Sequence, residues 1–186
     1  DNKANHERVL YKHSNQPIGM IFSKVLSNYF LSMETVLIRK KALDKMDEWF
    51  DTSFEVIEEA DLFTRILFDN NADYVPKVLA KWRIHDESLT WKDTALFGKE
   101  LKIMLDKYSS IFHDFDRVYS FEIKKVRARA AYREAQGEWK KGNNNKVRRL
   151  IYPWMFIDYR LLLVLLFSVI SYSRYMKLFN NYKKWF

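Results

Sequence analysis

The sequence predicts an α+β chain that is mostly helical overall, with a few strands in its first half and a helical bundle after them. Three observations carry this. Two stretches alternate with the period of a strand, 31–40 and 71–85. From about residue 93 the apolar spacing is helical to the end. With 186 residues, 48% of them hydrophobic and 17% aromatic, the chain can bury one sizeable core, or one core and a satellite bundle. The expected division is therefore 1–92, mixed, and 93–186, helical.

In chain order, residues 1–15 are polar and are expected to be loose. "NQPIGMIFSKVLSNYF" opens with a Pro/Gly turn signal and continues as a short helix with Ile21, Phe22, Val25 and Leu26 on one side. "LSMETVLIRK" reads as a strand with Val36 and Ile38 on one face and Thr35 and Leu37 on the other. "KALDKMDEW" reads as a short helix and "FDTSF" as a turn. A helix is expected from about Ile57 to Asp69, then a strand over "NADYVPKVLAKWRIH" and a polar loop in which Ser88 or Asp93 caps the next helix. Helices are then expected near 93–112, 115–140, 144–152 and 156–184, with "KKGNNNK" as the clearest linker.

Composition excludes several chemistries. Cysteine is absent, which removes disulfides, thiolate metal sites and a cysteine nucleophile, and suits a reducing compartment. Four glycines leave little room for a Gly-rich phosphate loop. Charge is uneven. Residues 1–116 hold 16 Lys/Arg against 20 Asp/Glu, a net of −4, and residues 117–186 hold 16 against 4, a net of +12. Such a basic region implies an anionic partner. No nucleic-acid recognition motif accompanies it and the aromatics keep helical spacing, so nucleic acid is not the expected one. The chain begins at Asp1 with no signal-peptide pattern and is expected to be a piece of something longer.

The acidic stretch "EVIEEADLFTR" is the first candidate site. On a helix, Leu62, Phe63 and Ile66 fall within about 60° of Glu59, whereas Glu58, Asp61 and Arg65 share a separate polar face. Asp61 and Arg65 read as an ordinary i,i+4 pair. Glu59 points the way the apolar residues point. Either it is the edge of an acidic first turn that suits the helix dipole, or it is a carboxylate that is paired or used.

The second candidate is the strand over 77–85. Lys77, Lys81, Arg83 and His85 share one face with Leu79, and Val78, Ala80, Trp82 and Ile84 the other. The basic face suits a phosphate-rich ligand, with His85 able to bind a metal, or it is a solvated edge kept soluble by its charges.

The third is "LLLVLLFSVISY", residues 161–172, flanked by aromatic and basic side chains. It is too short to span a bilayer, which takes about 20 residues. An interfacial helix on an anionic membrane surface, a core helix, and a seam between copies in a homo-oligomer all remain open.

Taken in order, "FLSMETVLIRKKALDKMDEWFDTSFEVIEEADLFTRI" and "DYVPKVLAKWRIHDESLTW" resemble the second half of the family 2 glycosyltransferases, which have the GT-A fold. The resemblance spans roughly residues 8–92, and "AYREAQGEWKKGNNNKVRRL" is more weakly similar to the helical C-terminal region of many members. It implies that 1–92 is the acceptor-side half of a GT-A-like catalytic domain. Glu59 would take the position of the catalytic base, where the family usually has Asp. Glu58 and Asp61 would match the flanking acids of the same motif. His85 would help hold a divalent metal, Mg or Mn, or the diphosphate. Arg83, Ser88 and Trp91 would lie in the loop closing over a nucleotide-diphosphate sugar donor. The implied reaction is inverting transfer of a sugar to a hydroxyl acceptor, in cell-surface polysaccharide or glycoconjugate synthesis. The implied location is cytoplasmic, at the inner face of the membrane. The donor-binding half is not among these residues, and the only Asp-x-Asp, at Asp114 and Asp116, follows the base and reads as chance. The chain alone is therefore expected to be inactive. The alternative is a non-catalytic membrane- or partner-binding helical module.

Overall fold

The structure, a computed structural model, describes residues 16–81 and 94–183. Nine α-helices lie in the described residues. They are α1 (Phe22–Ser27), α2 (Lys40–Leu43), α3 (Glu58–Asp69), α4 (Thr94–Ile111), α5 (Phe115–Val118), α6 (Ser120–Lys140), α7 (Asn144–Ile151), α8 (Tyr159–Phe167) and α9 (Tyr172–Lys183). Single 3₁₀ turns occur at Met33–Thr35 and Tyr152–Trp154.

The expected α+β class is overturned. Among the described residues no strand forms, and the only β-type pairing is an isolated antiparallel bridge between Gly19 and Ala72, with N–H to O distances of 2.8 and 2.9 Å. Residues 31–40, expected as a strand, make the 3₁₀ turn at Met33–Thr35 and then run extended through Val36 and Arg39. Leu37 there is wholly exposed, at 100%. Residues 73–81 also lack regular structure, with Val75, Val78 and Leu79 exposed. A strand exists only where a neighbour takes its N–H and C=O groups. Alternation says which side chains would share a face; it does not supply the neighbour. The rest of the second expected strand, 82–85, lies outside the described residues.

The helical half matches expectation with two breaks. The helix expected over 115–140 divides at Tyr119, and the one over 156–184 divides after Phe167. Neither break has a Gly or Pro. The second is held from elsewhere in the fold: Arg148 Nε donates to Ser168 Oγ at 3.0 Å and Trp139 Nε1 donates to the Ile170 carbonyl at 2.8 Å. Side chains of α6 and α7 thus fix a turn that local spacing cannot announce.

Two cores result. The first joins α1, α3, α4 and α6 around Phe22, Ile57, Leu101, Leu105, Tyr108 and Val126. Its aromatic centre stacks Phe68 on Phe112 at 3.8 Å and sets Phe22 edge-on to Phe68 at 5.0 Å. The second packs Trp139, Val147, Ile151, Leu161 and Val164.

Helices α4 and α6 run antiparallel and close together, because Gly98 faces Ala130 and Glu134 and Gly137 faces Ala95. A Cβ at Gly98 would sit 2.6 Å from the Ala130 carbonyl oxygen and 2.9 Å from Glu134 Cγ. Gly98→Ala should therefore destabilise the protein by about 1–3 kcal/mol through overpacking, despite alanine's better helix propensity. A lower urea midpoint with an unchanged m-value is the expected reading; a raised midpoint would mean the helices separate at little cost.

Candidate active site at the start of helix α3

No side chain of its own caps α3, and its N-cap residue is the apolar Ile57. The cap comes from α4. Glu100, only 2% exposed, takes the Glu55 N–H on Oε1 at 2.9 Å and the Val56 and Ile57 N–H groups on Oε2 at 3.0 and 3.2 Å. A carboxylate at this end satisfies donors the helix leaves free and meets the positive end of its dipole. Sequence reasoning passed over Glu100. Its signal was legible, since it stands among Phe97, Leu101, Met104 and Tyr108 in the apolar stripe of α4.

Asp61 is not the surface residue its helical position suggested. Its side chain is 0% exposed, and Oδ2 meets Arg65 Nε at 2.8 Å and Lys107 Nζ at 3.0 Å. Arg65 also donates to the Glu48 and Trp49 carbonyls at 2.9 and 2.6 Å, which fastens the preceding loop to α3. Lys107 reaches Asp51 Oδ2 at 2.7 Å. The supposed polar face of α3 is covered by α4 and the 48–51 loop, so Asp61, Arg65, Lys107 and Asp51 form one partly buried ion network. Removing either sign from such a network leaves an uncompensated charge. Asp61 accordingly reads as structural rather than catalytic.

The Lys107 hydrogen bond, helped by Ser53, holds Asp51 down at about 2, against an ordinary 3.8. A depressed carboxylate contributes stability that is present above its ordinary value and lost as pH falls through the folded one. Asp51→Asn should therefore flatten the loss of stability between about pH 4 and 2 in acid denaturation. An unchanged acid limb would show that the pair contributes nothing.

Glu59 differs from these residues. It is half-buried on the first turn of α3, and burial, with Glu58 and Glu34 nearby, raises its carboxyl above the ordinary 4.5. Glu58 Oε2 is buried and has no hydrogen-bond partner among the described residues. Nor does any described Lys or Arg form an ion pair with Glu58 or Glu59. The cations of this region, Arg65 and Lys107, are engaged by Asp61 and Asp51. Among the described residues the arrangement separates a paired set of acids, which holds the helix, from a set at its tip that has no ion-pair partner. A carboxylate kept proton-hungry and partly dry can act as a general base.

Of the other residues singled out in the sequence, Arg83, His85, Ser88 and Trp91 lie outside the described residues. Among the described residues no group of three or more His, Cys, Asp or Glu is placed to hold a metal ion. No step is assigned through a metal. Asp114 pairs with Arg117, and Asp116 accepts from Ser109 Oγ at 2.8 Å, so the Asp-x-Asp of the 112–116 turn is used locally.

No family model, curated protein or solved structure matches this chain.

Proposed function

We propose that this chain supplies the acceptor-side base of a nucleotide-sugar-dependent glycosyl transfer, with Glu59 as that base. The observation that carries the reading is the half-buried Glu59, which has no ion-pair partner among the described residues and whose carboxyl is raised, while Asp61 and Asp51 are neutralised. The ordered motif over 30–66 supports the same assignment. The reading rests on these residues and not on a β-sheet.

In the proposed step an acceptor hydroxyl attacks the anomeric carbon of the donor sugar. Its proton passes to a Glu59 carboxylate oxygen as the new C–O bond forms. The bond from the anomeric carbon to the diphosphate oxygen breaks on the opposite face, and a nucleoside diphosphate leaves. Glu100 and the Asp61 network act as positioning residues, because they fix the turn from which Glu59 projects. The donor, its diphosphate and any metal would be held by Arg83, His85, Ser88, Trp91 and residues beyond this chain. The product would belong to a cell-surface polysaccharide or glycoconjugate.

The test is release of nucleoside diphosphate from a panel of nucleotide sugars with hydroxyl acceptors. It should be run on the chain alone and joined to whatever precedes it in its reading frame. Turnover only in the joined form, lost with Glu59→Gln, is the expected result. A preceding frame without any α/β segment, and no turnover in either form, would leave the non-catalytic binding module as the better reading.

A further inference from the structure

Helix α8 turns Leu161 and Val164 inward, with Ser168 buried one turn later. At 100° per residue its opposite side carries Tyr159, Leu162, Leu163 and Leu166, all exposed. The approach to the helix adds Phe156, which is 86% exposed. An amphipathic helix normally turns such a face to a core, yet here the second core is already filled from the other side. The exposed apolar patch is therefore unpartnered.

The C-terminal region that carries this helix is one-sided in charge. Arg149, Arg174 and Lys177 are exposed and have no carboxylate partner among the described residues. All four acids of residues 117–186 are engaged: Glu122 by Ser23, Glu134 by Lys102, Glu138 by Lys146, and Asp158 by Arg160. Arg117 and Arg127 are met by Asp114 and Asp106 of the preceding residues, which leaves most of the region's net +12 without an acid among the described residues. A second copy of the chain would bring the same positive charge to the same patch, and a nucleic acid would offer nothing to the leucines. An anionic lipid surface answers both features.

We propose that the outward side of α8 docks on an anionic bilayer, drawn there by the exposed cations of the helices before and after it, Arg149 of α7 and Arg174 and Lys177 of α9. No described helix is long and apolar enough to cross a membrane, and nine residues of helix reach only about 14 Å against a hydrocarbon core of about 30 Å. The helix therefore lies in the interface plane, its leucines at the acyl boundary and those cations at the phosphates. This docking is independent of the role given to Glu59.

The experiment is co-sedimentation of the protein with phosphatidylcholine vesicles, with and without phosphatidylglycerol, at low and high salt. Wild type should bind the anionic vesicles and weaken as salt rises. Leu163→Glu with Leu166→Glu, both surface changes, should lower the partition coefficient at least roughly tenfold. Arg174→Glu with Lys177→Glu should do the same and also flatten the salt dependence. Far-UV circular dichroism checks that each variant keeps its helices, and either pair suffices if the other misfolds. Equal binding by wild type and the folded variants would overturn the proposal, as would equal binding to neutral vesicles or none to anionic ones. A concentration-dependent dimer that the leucine variant abolishes, without vesicle binding, would give the face to a second copy instead.

Discussion

With Glu59 as the proposed base, Glu59→Gln should lower turnover of the joined form by about 10²–10⁴, the span expected for loss of a general base, while the protein holds or gains thermal stability at neutral pH. The two effects are linked through the raised carboxyl. A group whose folded pKa lies above its unfolded value adds stability below the unfolded value, and that stability is lost as pH rises through the folded one. At pH 7 the ionised Glu59 is therefore a cost to the fold, caused by burial first and by Glu58 and Glu34 next. Glutamine removes the charge and the cost while filling the same space. Loss of activity with a steady or higher Tm marks a residue kept for chemistry rather than for packing. The acid limb of kcat/KM should also lie above the ordinary carboxylate value of 4.5 and vanish in the variant. Glu59→Asp keeps a carboxylate and should retain part of the rate. Near-wild-type turnover in Glu59→Gln would remove the assignment, and a lowered Tm would make Glu59 a packing residue.

The helical half was legible because its signal is local. A stripe recurring every three or four residues needs nothing else to define its face, and α4, α6 and α7 lie where that stripe placed them. The first half failed as a fold prediction because a strand is a relation between two segments. Val36, Ile38, Val78 and Ala80 alternate as strand residues do, yet no described segment pairs with them. The same limit governed the acids. The wheel of α3 turned Glu59 inward and set Asp61 on a polar face, whereas Asp61 is fully buried and Glu59 only half so, because Lys107 and Tyr108, 46 and 47 residues on in α4, are invisible to it. Tyr108 donates to the Asp61 carbonyl at 3.2 Å, and Lys107 closes the network from the same helix. A carboxylate inside an apolar stripe was the useful signal at Glu59, and it applied equally to Glu100.

Glu100→Ala should be the most destabilising single change at this site, lowering unfolding free energy by about 3–5 kcal/mol. Three N–H groups, of Glu55, Val56 and Ile57, lose their acceptor at once. Each buried donor left unpaired costs about 1–3 kcal/mol, less where water can enter; Glu55 is exposed, whereas Ile57 is buried. One anion at the positive end of α3 is lost as well, leaving there the first-turn acids Glu58, Glu59 and Asp61, none of which caps the helix. For a chain of this size the fall in Tm is roughly 6–20 °C. Glu100→Gln separates the contributions: its one carbonyl oxygen can still accept, but its amide nitrogen meets N–H groups that also donate, so it should recover only part of the loss. Lys102→Ala is the control in the same helix. It breaks the Lys102–Glu134 pair, in which Lys102 is 43% exposed, and should cost no more than about 1 kcal/mol. If Glu100→Ala costs as little as Lys102→Ala, the start of α3 is held by something other than this carboxylate. If instead it costs the full amount, the turn that carries Glu59 is set from α4, and a change in α4 can move Glu59 without touching it.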